Sequence, residues 1–258
     1  MKKKNSEPKS LGLAFYFGVL VTLIIIVSVA FKIVDVVKNS KFDGKHSFST
    51  ALIEGGKTDI LFVSPAKGTI TLLSLRPQIS VAKLKSLGIP ADGYIQSQNT
   101  IDSSAKSTFL QAILHKRSVS TNLTIFDLFR LAIYSQGVSQ DSITLTNSNL
   151  SDPALGNDVS TIFVDPTIEQ EKKSVEITNA AGVSGLGNKI AKNITDIGGN
   201  VILVNSSPST QGTSVIYYKE ESYTVDRISK MLDVKKIKKE DNSISDITII
   251  IGEDRESF

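Results

Sequence analysis

Cysteine is absent from the 258 residues, and histidine occurs only as His46 and His115. The first absence excludes disulfides and thiolate metal sites, and the second leaves too few imidazoles for a histidine-built metal or hydrolase centre. Neither histidine sits in a motif, so each reads as a surface or partly packed side chain. A strong charge imbalance is missing too. The formal net charge is +3 and the pI about 8.9, but the lysines are interspersed with acidic residues and form no basic footprint for nucleic acid. No metal and no cofactor are expected. What is present is ordinary for globular protein, 40% hydrophobic and 21% charged, with room for one or two domains and a real core.

Charge is also missing along the run from Leu11 to Phe31, "LGLAFYFGVLVTLIIIVSVAF". At about 1.5 Å per residue such a run crosses the roughly 30 Å hydrocarbon layer. A secretory signal would have a shorter apolar region and a small-residue cleavage site, which "VSVAFKIVDVV" supplies poorly, so a retained transmembrane helix is expected. Lys2, Lys3, Lys4 and Lys9 precede it against Glu7, whereas Lys32, Lys38 and Lys41 after it are diluted by Asp35 and Asp43. The basic side stays in the cytoplasm, which gives a single-pass protein with residues 1–10 inside, 11–31 in the membrane and the bulk extracytoplasmic.

Residues 32–57 read as a polar, glycine-bearing stalk that is partly strand. A small α/β domain is expected over 58–148. Its signals are the hairpin "DILFVSPAKGTITLLSL", a short helix closed by Gly88 and Pro90, a strand around Tyr94, two helices and the strand "DSITLTN". The helices place Phe109, Leu110, Ile113 and Leu114, and then Ile125, Leu128, Phe129 and Ile133, at helical spacing. The trio His115-Lys116-Arg117 ends the first of them, where positive charge offsets the dipole. The segment 149–174 mixes Ser, Asn, Pro and charge and reads as a linker. Over 175–254 the order strand, helix, strand, strand, helix, strand predicts a βαββαβ two-layer sandwich with both helices on one face. The charge run "DVKKIKKEDN" reads as a solvated loop.

Within that second domain, "ITNAAGVSGLGNKIAKNI" carries three glycines between a strand and an amphipathic stretch. Gly182 and Gly187 have the separation of a phosphate-binding loop, but Asn188 follows where lysine is required and no hydroxyl comes after it. The dinucleotide fingerprint fails as well, because its third glycine position holds Ile190. The structural reading is a tight turn: Gly182 takes a positive φ, Ser184 caps the helix, and Gly185 and Gly187 let it approach the sheet. Tyr217 and Tyr218 face opposite sides of one strand, so the outward one can present its ring to a sugar.

The strings "VEITNAAGVSGL", "DIGGNVILV", "TSVIYY" and "ITIIIGED" resemble, in order, the C-terminal domain carried by many LytR-CpsA-Psr cell-envelope proteins. Gly187 and Asn200 depart from its usual residues. Residues 58–148 are similar, more faintly, to a shortened and degenerate form of the catalytic domain of that family, through "DILFVSPAKGTITLLSLRP", "LKSLGIPADGYIQ" and "FLQAILHKRSVSTNLTIFDLFRLA". The resemblance implies a bacterial wall-building context, in which such enzymes move glycopolymers from polyprenyl pyrophosphate onto peptidoglycan using arginines, aspartates and magnesium. Here the arginine-aspartate pair is replaced by "LRPQI", which leaves Arg76 without an adjacent carboxylate, and the arginine-rich stretch is missing. The expectation is a non-catalytic envelope protein that binds peptidoglycan, another wall polymer or an envelope partner. Its candidate ligand-binding residues are Asn179, Gly182, Ser184, Gly185, Tyr217 and Tyr218. The alternative is a minimal glycopolymer ligase in which Arg76 works with carboxylates such as Asp59 or Asp102.

Overall fold

The computed structural model describes residues 9–97, 104–151, 155–240 and 243–255. Helix α1 (Lys9–Lys38) opens the chain, and within it Phe15–Lys38 is long and apolar enough to cross a membrane, with its side chains exposed.

Two mixed sheets follow. The first has six strands: β1 (Phe48–Glu54), β2 (Lys57–Ser64), β3 (Thr69–Arg76), β4 (Gly93–Ser97), β5 (Val119–Thr121) and β6 (Ile143–Asn149), in the order β5-β4-β1-β2-β3-β6. β1, β2 and β3 form an antiparallel meander, and parallel β4 and β6 extend it on either side. Both faces are covered. α3 (Thr108–Leu114) and α4 (Ile125–Gly137) pack on one, where Phe109, Leu128 and Leu131 meet Leu52, Leu61 and Ile70. On the other, α2 (Val81–Ser86) and α5 (Leu155–Ile162) bring Leu84, Leu155 and Val159 onto Ile60, Phe62 and Leu73.

The stalk expectation is corrected here: the strand it allowed for, residues 48–54, is fully buried between β4 and β2 as an inner strand of the first sheet. A strand buried on both faces carries no polar alternation, and its Ser49, Thr50 and Ala51 are small enough to be covered from both sides. The linker expectation is corrected as well. Residues 155–171 form α5 and then α6 (Pro166–Glu171), with Leu155, Val159 and Phe163 buried as a helical stripe against the first sheet.

The second sheet has β7 (Ser174–Asn179), β8 (Asn200–Ser206), β9 (Val215–Tyr218), β10 (Lys236–Lys238) and β11 (Ile247–Ile251), in the order β10-β9-β11-β7-β8. Helices α7 (Leu186–Asp196) and α8 (Tyr223–Leu232) send Ile190, Ile194, Val225 and Ile228 into one core with Val175, Ile177, Ile216, Ile247 and Ile249. The alternation along β7 and β11 puts both helices on one face, as the sequence predicts. The charge run is corrected in part: Lys236–Lys238 pair in parallel with β9 as an edge strand, where lysines discourage further pairing.

Candidate functional site

The two sheets and the segment leaving α1 enclose a cleft of about 1070 Å³. Its walls are residues between Lys38 and His46 in the segment leaving α1, Gly88–Asp92 before β4, and residues of α8 and its flanks from Glu221 to Asp233. Asp92 holds the floor. One carboxylate oxygen accepts from the Ser49 N–H (2.8 Å) and hydroxyl (2.9 Å), and the other pairs with the Arg227 guanidinium on α8. Arg227 is 7% exposed. Burial pulls its pKa down, but the charge and hydrogen bond of Asp92 together with the Tyr223 and Asp165 charges outweigh burial, and the net direction is up, so the guanidinium stays charged.

Tyr223 opens α8 on the same wall. Its hydroxyl donates to Asp165 (2.7 Å), whose other oxygen accepts from the Thr167 N–H (2.9 Å) and caps α6. Burial raises the phenol, and the Asp165 charge works in the same direction against the opposing Arg227. On its ring lies the His46 imidazole, stacked at 3.9 Å and 11° between planes and joined to Asp43. Glu171, at the end of α6, accepts from the Tyr223 N–H (3.0 Å), the Thr224 N–H (2.8 Å) and the Thr224 hydroxyl (2.5 Å), serving the free donors at the start of α8. Gly88 has φ +75°, and a Cβ there would meet Asn193 of α7 at 2.2 Å. That glycine lets the two units close together.

One ion pair, Asp92–Arg227, thus crosses between the two units, while Asp43 pairs with His46, and Glu221 and Asp226 with Lys236, each within its own unit. Among the described residues no group of three or more His, Asp or Glu side chains is arranged to hold a metal. The lining, with Ile89, Ala91, Met231 and Tyr94 between the polar groups, suits an elongated ligand with apolar and hydroxyl surfaces.

None of the ligand-binding residues inferred from sequence lines this cleft. Asn179 is spent on its own loop, its amide donating to the Val183 carbonyl (2.7 Å) and its oxygen accepting from the Ala181 N–H (3.2 Å). Gly182 has φ +75°, as expected. The cap assignment is corrected: Gly185, with φ +78°, is the N-cap of α7, and no side chain, Ser184 included, caps it. Close approach to the sheet is the role of Gly187, where a Cβ would meet Val204 at 3.1 Å. Tyr218 packs toward the helices with Lys236 over its ring, and its hydroxyl is raised by the hydrogen bond to Glu221. Tyr217 faces outward, with the Lys239 ammonium 5.0 Å above its ring.

Arg76 ends β3 at the surface of the first sheet, two residues beyond Ser74 and on the same face. Ser74 donates to Asp59 (2.6 Å), and Asp59, fully buried, also pairs with Lys57 (2.7 Å), which stands opposite Glu54. A small mixed-charge group thus occupies this end of the meander. Asp102 lies outside the described residues. The cleft residues His46, Asp92, Tyr223 and Arg227, with Asp165 behind Tyr223, escape sequence reasoning because they come from four separate segments, and only Tyr223 and Arg227 share a helix, four residues apart on α8.

No curated protein matches the chain significantly. Among solved structures, the transcriptional regulator yvhJ from Bacillus subtilis aligns over 40% of this chain and 82% of its own, at 14% identity and TM-score 0.29. B. subtilis TagT aligns over 75% and 94%, at 13% identity and TM-score 0.19. The Listeria monocytogenes protein Lmo1026 aligns over 74% and 99%, at 10% identity and TM-score 0.20. Residues 172–254, which contain the whole second sheet and both its helices, match the family model described as LytR cell envelope-related transcriptional attenuator, so this part of the chain is similar to the LytR C-terminal domain.

Proposed function

We propose that the chain is a non-catalytic, single-pass protein of the bacterial cell envelope. Its N-terminus is cytoplasmic, and its two sheet units bind peptidoglycan or another wall polymer in the cleft between them. The observation that carries this reading is the cleft itself, about 1070 Å³, walled by the LytR C-terminal domain on one side and the first unit on the other. The Asp92–Arg227 pair holds the two walls together, and hydroxyl and apolar side chains line the cleft beside the exposed Lys230, a surface suited to a saccharide chain. The test is co-sedimentation of the full chain, in detergent micelles, with purified wall sacculi. Lys230 lines the cleft and is exposed, so Lys230→Trp narrows it without disturbing the core, and wall affinity should fall about tenfold. Wild-type protein that stays in the supernatant with a control membrane protein contradicts wall binding, and undiminished sedimentation of the variant contradicts the cleft.

One observation favours a second reading, a minimal glycopolymer ligase: Arg76, Lys57, Asp59 and Glu54 share one end and one face of the meander. Transfer of a polyprenyl-linked glycopolymer to peptidoglycan by the full chain, lost on Asp59→Asn, would favour that reading.

A further inference from the structure

Outside α1, large apolar side chains stand exposed in a double stripe on α3 and α4: Leu110 and Leu114 on one, Ile125, Phe129 and Ile133 on the other. Leu114, Phe129 and Ile133 are 70%, 55% and 58% exposed. The two helices run antiparallel side by side, since Gln136 at the end of α4 donates to the Lys106 carbonyl just before α3 (3.0 Å). The stripes therefore merge into one patch, of the kind that marks an interaction surface.

Where that patch sits is fixed by the membrane-proximal segment. Asp127, in the first turn of α4, accepts from the Ser40 hydroxyl (2.6 Å) and from the N–H groups of Lys41 (2.8 Å) and Phe42 (2.9 Å). Arg130 adds a hydrogen bond to the Phe42 carbonyl (3.0 Å), and α1 touches α4 directly. The start of α4 is thus clamped within a few residues of Lys38, the last residue of the membrane-crossing stretch. Ile133 lies only about 12 Å further along the helix axis. At that same end, His115, Lys116 and Arg117 leave α3 exposed. An apolar stripe rimmed by basic residues beside the membrane-water boundary has the composition of an interfacial helix.

Resting on the anchored reading above, we propose that the α3–α4 face lies on the outer surface of the bilayer. Leu114, Phe129 and Ile133 sit at the boundary between the headgroups and the acyl chains, and Lys116 and Arg117 pair with anionic lipid headgroups. The first unit is then held flat against the membrane.

The absence of cysteine makes the test clean, because each introduced thiol reports one position. The full chain is reconstituted at one copy per nanodisc containing anionic lipid, which removes a second copy as a covering partner. Thr22→Cys, Leu114→Cys, Phe129→Cys and Ile202→Cys are labelled with an environment-sensitive fluorophore and quenched by nitroxide lipids. Labels at 114 and 129 should be shifted to the blue and lose about half their emission or more, with less loss in purely zwitterionic discs, while position 202 on the second sheet stays unquenched. Equal quenching at 129, 114 and 202 overturns the proposal. The label at 22 keeps the two ideas apart: quenched there but not at 114 or 129, the chain is anchored and the face is not docked; unquenched at 22, the anchored reading itself fails.

Discussion

Gly182 shows how one residue ties sequence to fold. At φ +75° a β-branched side chain crowds its own backbone, and an added Cβ would lie 3.2 Å from the Thr210 methyl group, so the turn between β7 and α7 requires glycine. Gly182→Val should cost about 2 kcal/mol and lower the melting temperature by roughly 5 °C, measured by calorimetry on the full chain. An unchanged melting temperature would contradict the turn. This position was legible from three glycines between a strand and an amphipathic run. The capping role of Gly185 was less so, because Ser184 next to it is the residue type that usually caps.

Among the elements, α4 shows what a single carboxylate can organise. Thr124 and Asp127 form a reciprocal capping box, and the same Asp127 receives the chain coming from α1. Burial pushes this carboxyl up, but the donors from Phe42, Ser40 and Thr124 outweigh it, and the net direction is below the ordinary value of 3.8. A depressed folded value means that the stabilisation is complete above about pH 4 and is lost as acid drops the pH through the lower folded value. Asp127→Asn should therefore cost about 2 kcal/mol at neutral pH and flatten the acid dependence of stability below pH 4, followed by denaturant unfolding across pH. A variant with the wild-type acid slope would show that this carboxyl is not the group responsible. The Thr-x-x-Asp pattern of the capping box passed unread in the sequence, and its second use left no local signal at all, since Ser40 and Asp127 are distant in the chain. Elements with clear periodicity, the β2–β3 hairpin and helices α3, α4, α7 and α8, were legible. The place of β1 inside the sheet, and α5 and β10 altogether, were not: β1 is buried on both faces with small polar residues, α5 hides its stripe among Asp, Asn and Ser, and β10 has only three residues.

For the whole molecule, the Asp92–Arg227 pair joins the units that wall the cleft. Removing one partner strands the other charge in a buried place. Asp92→Ala should cost about 3 kcal/mol and loosen the second unit from the first, seen as faster proteolysis of the segment around α6. Asp92→Ala combined with Arg227→Leu should recover much of that loss, and a double variant as unstable as the sum of the singles would deny the coupling. Neither partner carries a motif, so the cleft could be read only once the two units were placed together. The most direct measurement of the central claim is photo-crosslinking in intact cells, with a photoreactive residue placed in the full chain at Lys230 in the cleft or at Tyr217 on the open sheet face. The account predicts crosslinks to wall glycan from position 230 and none from 217. Crosslinks from 217 alone, or from neither position, would contradict it.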